Sequence, residues 1–216
     1  MTEESQNYVT SVQEVDSKRR WVFINYEPAF VLYISELRRL NIKQDAYISL
    51  SVYEEVMEIL RKRAKLRAMA LLKDRDYTEK KLYEKLKSGG YPDECITEAV
   101  KYVASYGYID DKRYACNYIL SNITAKSRRV IEQKLLQKGI NTDIISQAMD
   151  EYYDCYADTE LNNPEIDIIL MQLKSKYRNK DINDYIQCGK VKASLYRKGF
   201  SIDNINKALD IACGKQ

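Results

Sequence analysis

The sequence of 216 residues contains no histidine. That absence excludes Ser-His-Asp and Cys-His nucleophiles, histidine-ligated zinc and imidazole general bases. Glycine is also scarce, and its seven positions form neither a GxGxxG nor a GxxxxGK[ST] motif, which excludes dinucleotide and P-loop phosphate sites. The sequence therefore predicts a non-enzymatic binding protein with no catalytic residue, no cofactor and no metal site.

Cysteines are few and widely spaced, and no two of them form a CxxC pair. This spacing argues against metal and redox motifs and favours a reducing compartment. We expect small buried residues at Cys95, Cys116, Cys155, Cys188 and Cys213. No apolar run approaches the ~18 residues that a membrane span needs. The polar, acidic residues 1–7 are unlike a secretory signal, so we predict a cytoplasmic protein without membrane contact.

Residues 1–50 differ from the rest of the chain because β-branched and aromatic residues are concentrated there. The pattern predicts strands over 8–15, 21–26 and 30–33, turns at 16–20 and 27–29, and a short helix over 35–40. We expect a small antiparallel sheet, in which Trp21 packs rather than binds a ligand.

Helical periodicity begins at about residue 50 and contains an internal repeat. Seven glycine or apolar positions recur after 49 residues and again after a further 60; the invariant ones are Gly90, Gly139 and Gly199, and Ala99, Ala148 and Ala208. Each glycine suits the left-handed position that ends a helix, where a Cβ would be strained. Each repeat is thus predicted to hold three helices, with the glycine at the end of the middle one.

The predicted fold class is mainly α, with three tandem three-helix repeats in an elongated curved array preceded by the small antiparallel β region. The predicted regions are 1–50 for the β-rich part with its short helix, then 51–109, 110–157 and 158–216 for the three repeats. The longer spacing before the third repeat is assigned to residues 154–164, as a linker or a helix extension.

Lysine and arginine nearly balance the acidic residues, 35 against 32, but basic and acidic residues are concentrated on different helices. The middle helices are basic and the third helices are mildly acidic, so aligned repeats would have one basic and one acidic edge. These clusters are explained about equally well as solvent-exposed helix faces without a binding role. A basic run in the first long helix favours a phosphate-facing or acidic-partner surface, and it consists of Arg61, Lys62, Arg63, Lys65 and Arg67.

The segments at residues 67–72, 75–82, 106–115 and 126–135 resemble segments of the RecX family, whose members regulate the RecA recombinase. Residues 67–72 (RAMALL) and 75–82 (RDYTEKKL) are similar to the opening of the family's helical part. Residues 106–115 (YGYIDDKRYA) resemble its most characteristic segment, and 126–135 (KSRRVIEQKL) resemble its second repeat. The resemblance covers about residues 60–213 well and the N-terminal sheet more loosely.

The resemblance implies a protein that binds the groove of the RecA–single-stranded DNA filament. It implies inhibition of RecA ATP hydrolysis, strand exchange and coprotease activity in DNA repair and the SOS response, and we expect a monomer. Filament contact, or contact with single- or double-stranded DNA, is then assigned first to Lys126, Arg128, Arg129, Lys134 and Lys138, and next to the basic run 61–67. The family also leads us to expect glycines where Tyr26-Glu27-Pro28 and Gln44-Asp45 stand in this chain.

A further motif, Gly107-Tyr108 followed by Asp110-Asp111, most simply ends one helix and caps the next, with partner binding as the alternative. Two other functions remain open: a helix-turn-helix DNA-binding protein, and a helical scaffold for a different acidic or amphipathic partner. The third helices begin with acidic residues such as Asp93 and Asp143, which argues against base reading in the major groove.

Overall fold

The N-terminal part of the chain is an antiparallel sheet with one short helix. The computed structural model describes residues 7–153 and 163–214. The strands are β1 (Asn7–Glu14), β2 (Arg19–Ile24), β3 (Glu27–Tyr33) and β4 (Ala46–Ile48), and helix α1 (Ile34–Arg39) lies between β3 and β4 in the chain. The strand order is β3-β2-β1-β4, and every neighbouring pair is antiparallel, as the sequence predicts.

The turn between β2 and β3 lies two residues earlier than predicted. The expected turn at 27–29 is wrong, because Glu27 pairs with Ile24 and Pro28 pairs with Phe23 inside the ladder. Proline is tolerated there because β3 lies at the edge of the sheet. The connecting residues are Asn25 and Tyr26, with φ of 50° and 70°, and positive φ at both central residues defines the hairpin turn of type I′.

Tyr26→Gly is expected to stabilise the protein by about 1 kcal/mol, because glycine relieves the strain of a left-handed side-chain residue. Tyr26 is 85% exposed, so little packing is lost. The measurement is urea unfolding followed by the fluorescence of Trp21, the only tryptophan. Tyr26→Ala is the control because it removes the ring but keeps the strain. Equal stability of the glycine and alanine variants would show that no strain resides in this turn.

The remainder of the described chain is helical and follows the predicted three-helix pattern. The first repeat is α2 (Leu50–Asp74), α3 (Glu79–Lys87) and α4 (Asp93–Ser105); the second is α5 (Asp111–Leu120), α6 (Arg128–Gln137) and α7 (Thr142–Tyr153); the third is α8 (Pro164–Ser175), α9 (Tyr185–Arg197) and α10 (Ile202–Ala212). The predicted mainly α fold with an N-terminal sheet is therefore confirmed. No helix in residues 7–153 and 163–214 is long and apolar enough to cross a membrane.

Side-chain caps and glycines define the ends of the middle helices. Thr78, Ser127 and Asp184 each accept a hydrogen bond from a backbone N–H in the first turn of α3, α6 and α9. After these helices, Gly90, Gly139 and Gly199 have φ of 80°, 87° and 88°, which is the left-handed region that favours glycine.

The chain forms two compact units, an N-terminal unit that ends at Asp110 and a C-terminal unit that starts at Asp111. In the N-terminal unit one core joins the sheet to the first repeat, with Val9 and Phe30 packed in the same cluster as Leu60 and Ile96. The predicted regions 1–50 and 51–109 therefore share a core.

The C-terminal unit has a separate cluster for each of its two repeats, around Ile131 in the second and around Leu195 in the third. The predicted linker at 154–164 lies outside the described residues up to position 162. Asn163 is the N-cap of α8, and Pro164 is the first residue of that helix.

The cysteines differ in burial. Cys95 is fully buried in the N-terminal core, and burial raises the pKa of its thiol to about 11, which keeps it protonated. Cys116, Cys188 and Cys213 are half-buried free thiols, and Cys155 lies outside the described residues.

Candidate partner-binding surface

Most of the basic run on α2 is engaged with acidic side chains of the same unit. Arg61 contacts Glu58 at 2.9 Å and Glu98 at 3.1 Å, and it also bonds the carboxylate of Glu94. These carboxylates raise the pKa of Arg61, so its charge is permanent. Arg61 thus links α2 to α4 rather than facing solvent as a free cation.

Arg63 and Lys65 are also held by neighbouring side chains. The guanidinium of Arg63 bonds the carboxylate of Glu36 and lies 4.8 Å from the centre of the Tyr33 ring. The amine of Lys65 lies 3.4 Å from Glu98 and 5.6 Å from the centre of the Tyr102 ring. Two cations of the run remain exposed, Lys62 and Arg67, and neither forms an ion pair within residues 7–153 and 163–214.

Arg128, at the first turn of α6, contacts three side chains of the second repeat. Its guanidinium contacts Glu132 at 3.0 Å and Asp150 at 3.2 Å, and lies 5.2 Å from the centre of the Tyr153 ring. Burial raises the pKa of Tyr153, so this ring stays neutral beneath the guanidinium. Arg128 is therefore a bridge between α6 and α7.

The first turn of α6 is also hydrogen-bonded to the third repeat, through the buried carboxylate of Glu165. The N–H of Arg128 donates to Oε1 of Glu165 at 2.7 Å, and Nδ2 of Asn204 donates to Oε2 at 2.6 Å. Glu165 is only 7% exposed, and its carboxylate accepts these two hydrogen bonds near the positive N-terminal end of α6, which offsets the cost of burying it. Ser127 adds a hydrogen bond from its hydroxyl to the carbonyl of Lys198 at 2.8 Å.

Lys126 and Lys138 lie against tyrosine rings on the second repeat. Nζ of Lys126 is 5.5 Å from the centre of the Tyr118 ring. Nζ of Lys138 is 5.4 Å from the centre of the Tyr114 ring and 5.6 Å from that of Tyr118. Both lysines are half-buried. Because their ammonium groups are held against these rings, they are less accessible to a partner than fully exposed lysines.

Arg129 and Lys134 are the exposed cations of α6. Lys134 donates to Oε1 of Gln137 at 3.1 Å, and Arg129 has no ion pair within the part of the chain that the structure describes. Of the ten cations predicted from the sequence, the most accessible to a partner are Lys62, Arg67, Arg129 and Lys134.

The segment around Gly107 presents tyrosines at the surface. Gly107 has a φ of 70°, and Asp111 begins α5. Tyr108 is 55% exposed and stacks on Tyr106 with 6.1 Å between ring centres. Tyr106 in turn meets Tyr102 edge-on at 5.0 Å. Tyr102 lies in the last turn of α4 and Tyr106 directly follows that helix, and neither was predicted as a site residue.

A basic cluster at and after the end of α8 was not predicted from the sequence. It consists of Lys174, Lys176, Arg178 and Lys180, and no acidic residue occurs between Ile168 and Asp181. All four side chains are exposed. The run of four basic residues without an acidic neighbour is the sequence signal that indicates this cluster.

A sheet followed by three-helix repeats, with accessible cations on the helices, defines a helical-repeat binding protein. Within the described residues, no group of cysteine and carboxylate side chains is placed to hold a metal ion. The arrangement therefore offers surfaces for recognition.

Three protein-family models match the chain in order, and together they cover more than half of it. They are described as the first, second and third three-helix domains of RecX, and they match residues 64–102, 110–149 and 164–209. The chain belongs to the RecX family. Members of this family are regulatory proteins and not enzymes, which agrees with the prediction from the sequence.

Individual relatives align along almost the whole chain. The regulatory protein RecX of Caldanaerobacter subterraneus is 30% identical over 202 residues, which is 93% of this chain and 96% of the relative. The regulatory protein RecX of Clostridium botulinum is 28% identical and covers 90% of each chain.

Two solved structures have the same fold. A crystal structure of regulatory protein RecX has a TM-score of 0.61 and 22% identity, and covers 94% of this chain and 99% of its own. RecX from Lactobacillus salivarius has a TM-score of 0.60 and 24% identity, and covers 71% of this chain and 96% of its own.

Proposed function

We propose that this chain is a cytoplasmic, monomeric regulator that binds the RecA–single-stranded DNA filament in its helical groove. Bound there, it inhibits ATP hydrolysis, strand exchange and coprotease activity. The observation that carries this proposal is the match of all three RecX domains in order, with relatives named RecX aligned from the sheet to the last repeat.

The exposed cations supply the attraction to a filament that carries DNA phosphates. Lys62, Arg67, Arg129 and Lys134 are free to meet phosphate or carboxylate groups, and such contacts gain free energy by releasing counterions. The third helices present acidic side chains at their starts, including Asp93 and Asp143, both exposed. This charge favours contact with a protein–DNA assembly over reading of base edges in the major groove.

Arg129→Glu combined with Lys134→Glu is expected to raise the concentration needed for half-inhibition of RecA ATP hydrolysis about tenfold. Two accessible cations at a partner surface each contribute roughly 0.7 kcal/mol, and about 1.4 kcal/mol corresponds to a factor of ten. The measurement is a titration of RecA ATP hydrolysis on single-stranded DNA, with circular dichroism to verify folding.

The matched control is Lys43→Glu with Lys73→Glu, two other exposed lysines whose reversal changes the net charge by the same amount. We expect that control to inhibit like the unmodified chain. If both double variants lose inhibition equally, the loss is caused by the change in net charge and not by these two positions. Full inhibition by the Arg129 and Lys134 variant would place the contact elsewhere.

A further inference from the structure

The third repeat contains an apolar groove bordered by the basic cluster at and after the end of α8. It has a volume of about 390 Å³ and lies between α8, the segment after it, and the last turn of α10. Its apolar walls come from Leu170, Leu173, Ile182 and Ile211. This volume falls in the range of about 300–1,000 Å³ that is typical of ligand sites, so side chains of a partner fit inside.

The rim of the groove is strongly basic. Lys174, Arg178 and Lys180 line it, and Lys176 lies in the same segment. None of these four forms an ion pair with a carboxylate of the described residues. Their charges are therefore available to a ligand.

Negative charge near the rim is smaller than the positive charge. The C-terminal ends of α8 and α10 each carry about −0.5 of a charge. Asp181 adds one carboxylate, which accepts a hydrogen bond from the N–H of Asn183. Asp210, next to Ile211 in the last turn of α10, adds a second carboxylate. Four cations still outweigh these contributions by about one charge, so the rim attracts anions.

We propose that this groove binds an acidic amphipathic peptide segment of a partner protein, with apolar side chains in the groove and carboxylates against Lys174 and Arg178. Charge complementarity selects an acidic ligand, and the apolar walls select one that also carries large aliphatic side chains. Met171, one helical turn before Lys174, is 59% exposed and extends the apolar surface with an adaptable side chain.

The walls favour a peptide over a nucleic acid. Sequence-tolerant binding of single strands requires exposed aromatic rings on which bases stack. The aromatic residue of this groove, Tyr177, is only 8% exposed, and its hydroxyl lies 2.8 Å from that of Ser194. Its ring therefore belongs to the core and offers no stacking face.

The test is a fluorescence anisotropy titration of the full chain with a fluorescein-labelled helical peptide of about 14 residues. Its leucines are placed at helical spacing, and its other positions are glutamate. We expect Lys174→Glu with Arg178→Glu to weaken binding at least tenfold. Ile211→Glu, on the half-exposed apolar wall, is expected to weaken binding to a similar extent. Lys190→Glu with Lys192→Glu is the matched control on exposed lysines of α9 and is expected to bind like the unmodified chain.

Two further probes, a serine-containing peptide and labelled oligothymidine, distinguish binding of an amphipathic peptide from binding of any polyanion. A peptide with serine in place of leucine is expected not to bind, because it keeps the charge and loses the apolar contacts. The proposal is overturned if the leucine peptide does not bind, or if the control variant loses as much affinity as the rim variant. It is also overturned if the serine peptide and labelled oligothymidine bind as tightly as the leucine peptide, which would make the rim a polyanion site. No RecA is present, so these outcomes are independent of the proposed regulation of RecA.

Discussion

Gly90→Ala is expected to destabilise the N-terminal unit by more than about 3 kcal/mol, because a rigid clash adds to backbone strain. An added Cβ would lie 2.8 Å from Cβ of Val31 and closer still to its Cγ2. Val31 cannot retreat, since it is buried in β3 and its N–H donates to the carbonyl of Gly90 at 3.0 Å. The φ of 80° disfavours alanine as well.

The measurement is urea unfolding followed by Trp21 fluorescence, which reports on this unit because Trp21 lies in β2. Gly107→Ala is the matched control: Gly107 also has a positive φ, 70°, but an added Cβ would meet no atom within 4 Å. We expect this control to lose only about 1 kcal/mol from strain. Similar losses in the two variants would contradict the close packing of the Gly90 turn on the sheet.

Glu165→Ala is expected to destabilise the C-terminal unit by about 3 kcal/mol. It leaves two partly buried donors, the N–H of Arg128 and the amide of Asn204, without their acceptor, at a cost of about 1–3 kcal/mol each. It also removes a negative charge from the N-terminal end of α6. Hydrogen exchange followed by mass spectrometry measures the effect as faster exchange in α6 and α10.

Glu132→Ala is the control for this junction. Glu132 also pairs with Arg128, but its side chain is 36% exposed, so solvent takes over its interactions. We expect a loss below about 1 kcal/mol for this exposed pair. If the two alanine variants exchange at the same rate, the buried carboxylate does not couple the second and third repeats.

The helical fold could be predicted because its determinants are local. The recurring glycines and the apolar spacing between them identify the repeats, and caps such as Ser127 define where helices begin. The hairpin turn at Asn25-Tyr26 could not be placed, since it has positive φ without glycine, whereas Pro28 gives a strong local turn signal. The ladder pairing of Pro28 with Phe23 depends on the whole sheet.

The roles of individual cations could not be predicted, because ion pairs depend on tertiary contacts. Arg128 and Arg129 are neighbours in sequence, yet Arg128 bridges two helices and Arg129 is exposed. Arg61 is bound by carboxylates from α4 that no local pattern associates with it. The groove of the third repeat could not be predicted for the same reason, because Leu170 and Ile211 line it from two different helices.

Cosedimentation of this chain with RecA tests the proposed regulation most directly. The chain is mixed with RecA filaments on single-stranded DNA in the presence of a non-hydrolysable ATP analogue, with free DNA and DNA-free RecA as controls. The predicted result is saturable retention on the filament, well above retention on either component alone, at concentrations that also inhibit ATP hydrolysis. Absence of retention on the filament, or equal retention on DNA alone, would contradict a regulator that acts by binding the RecA filament.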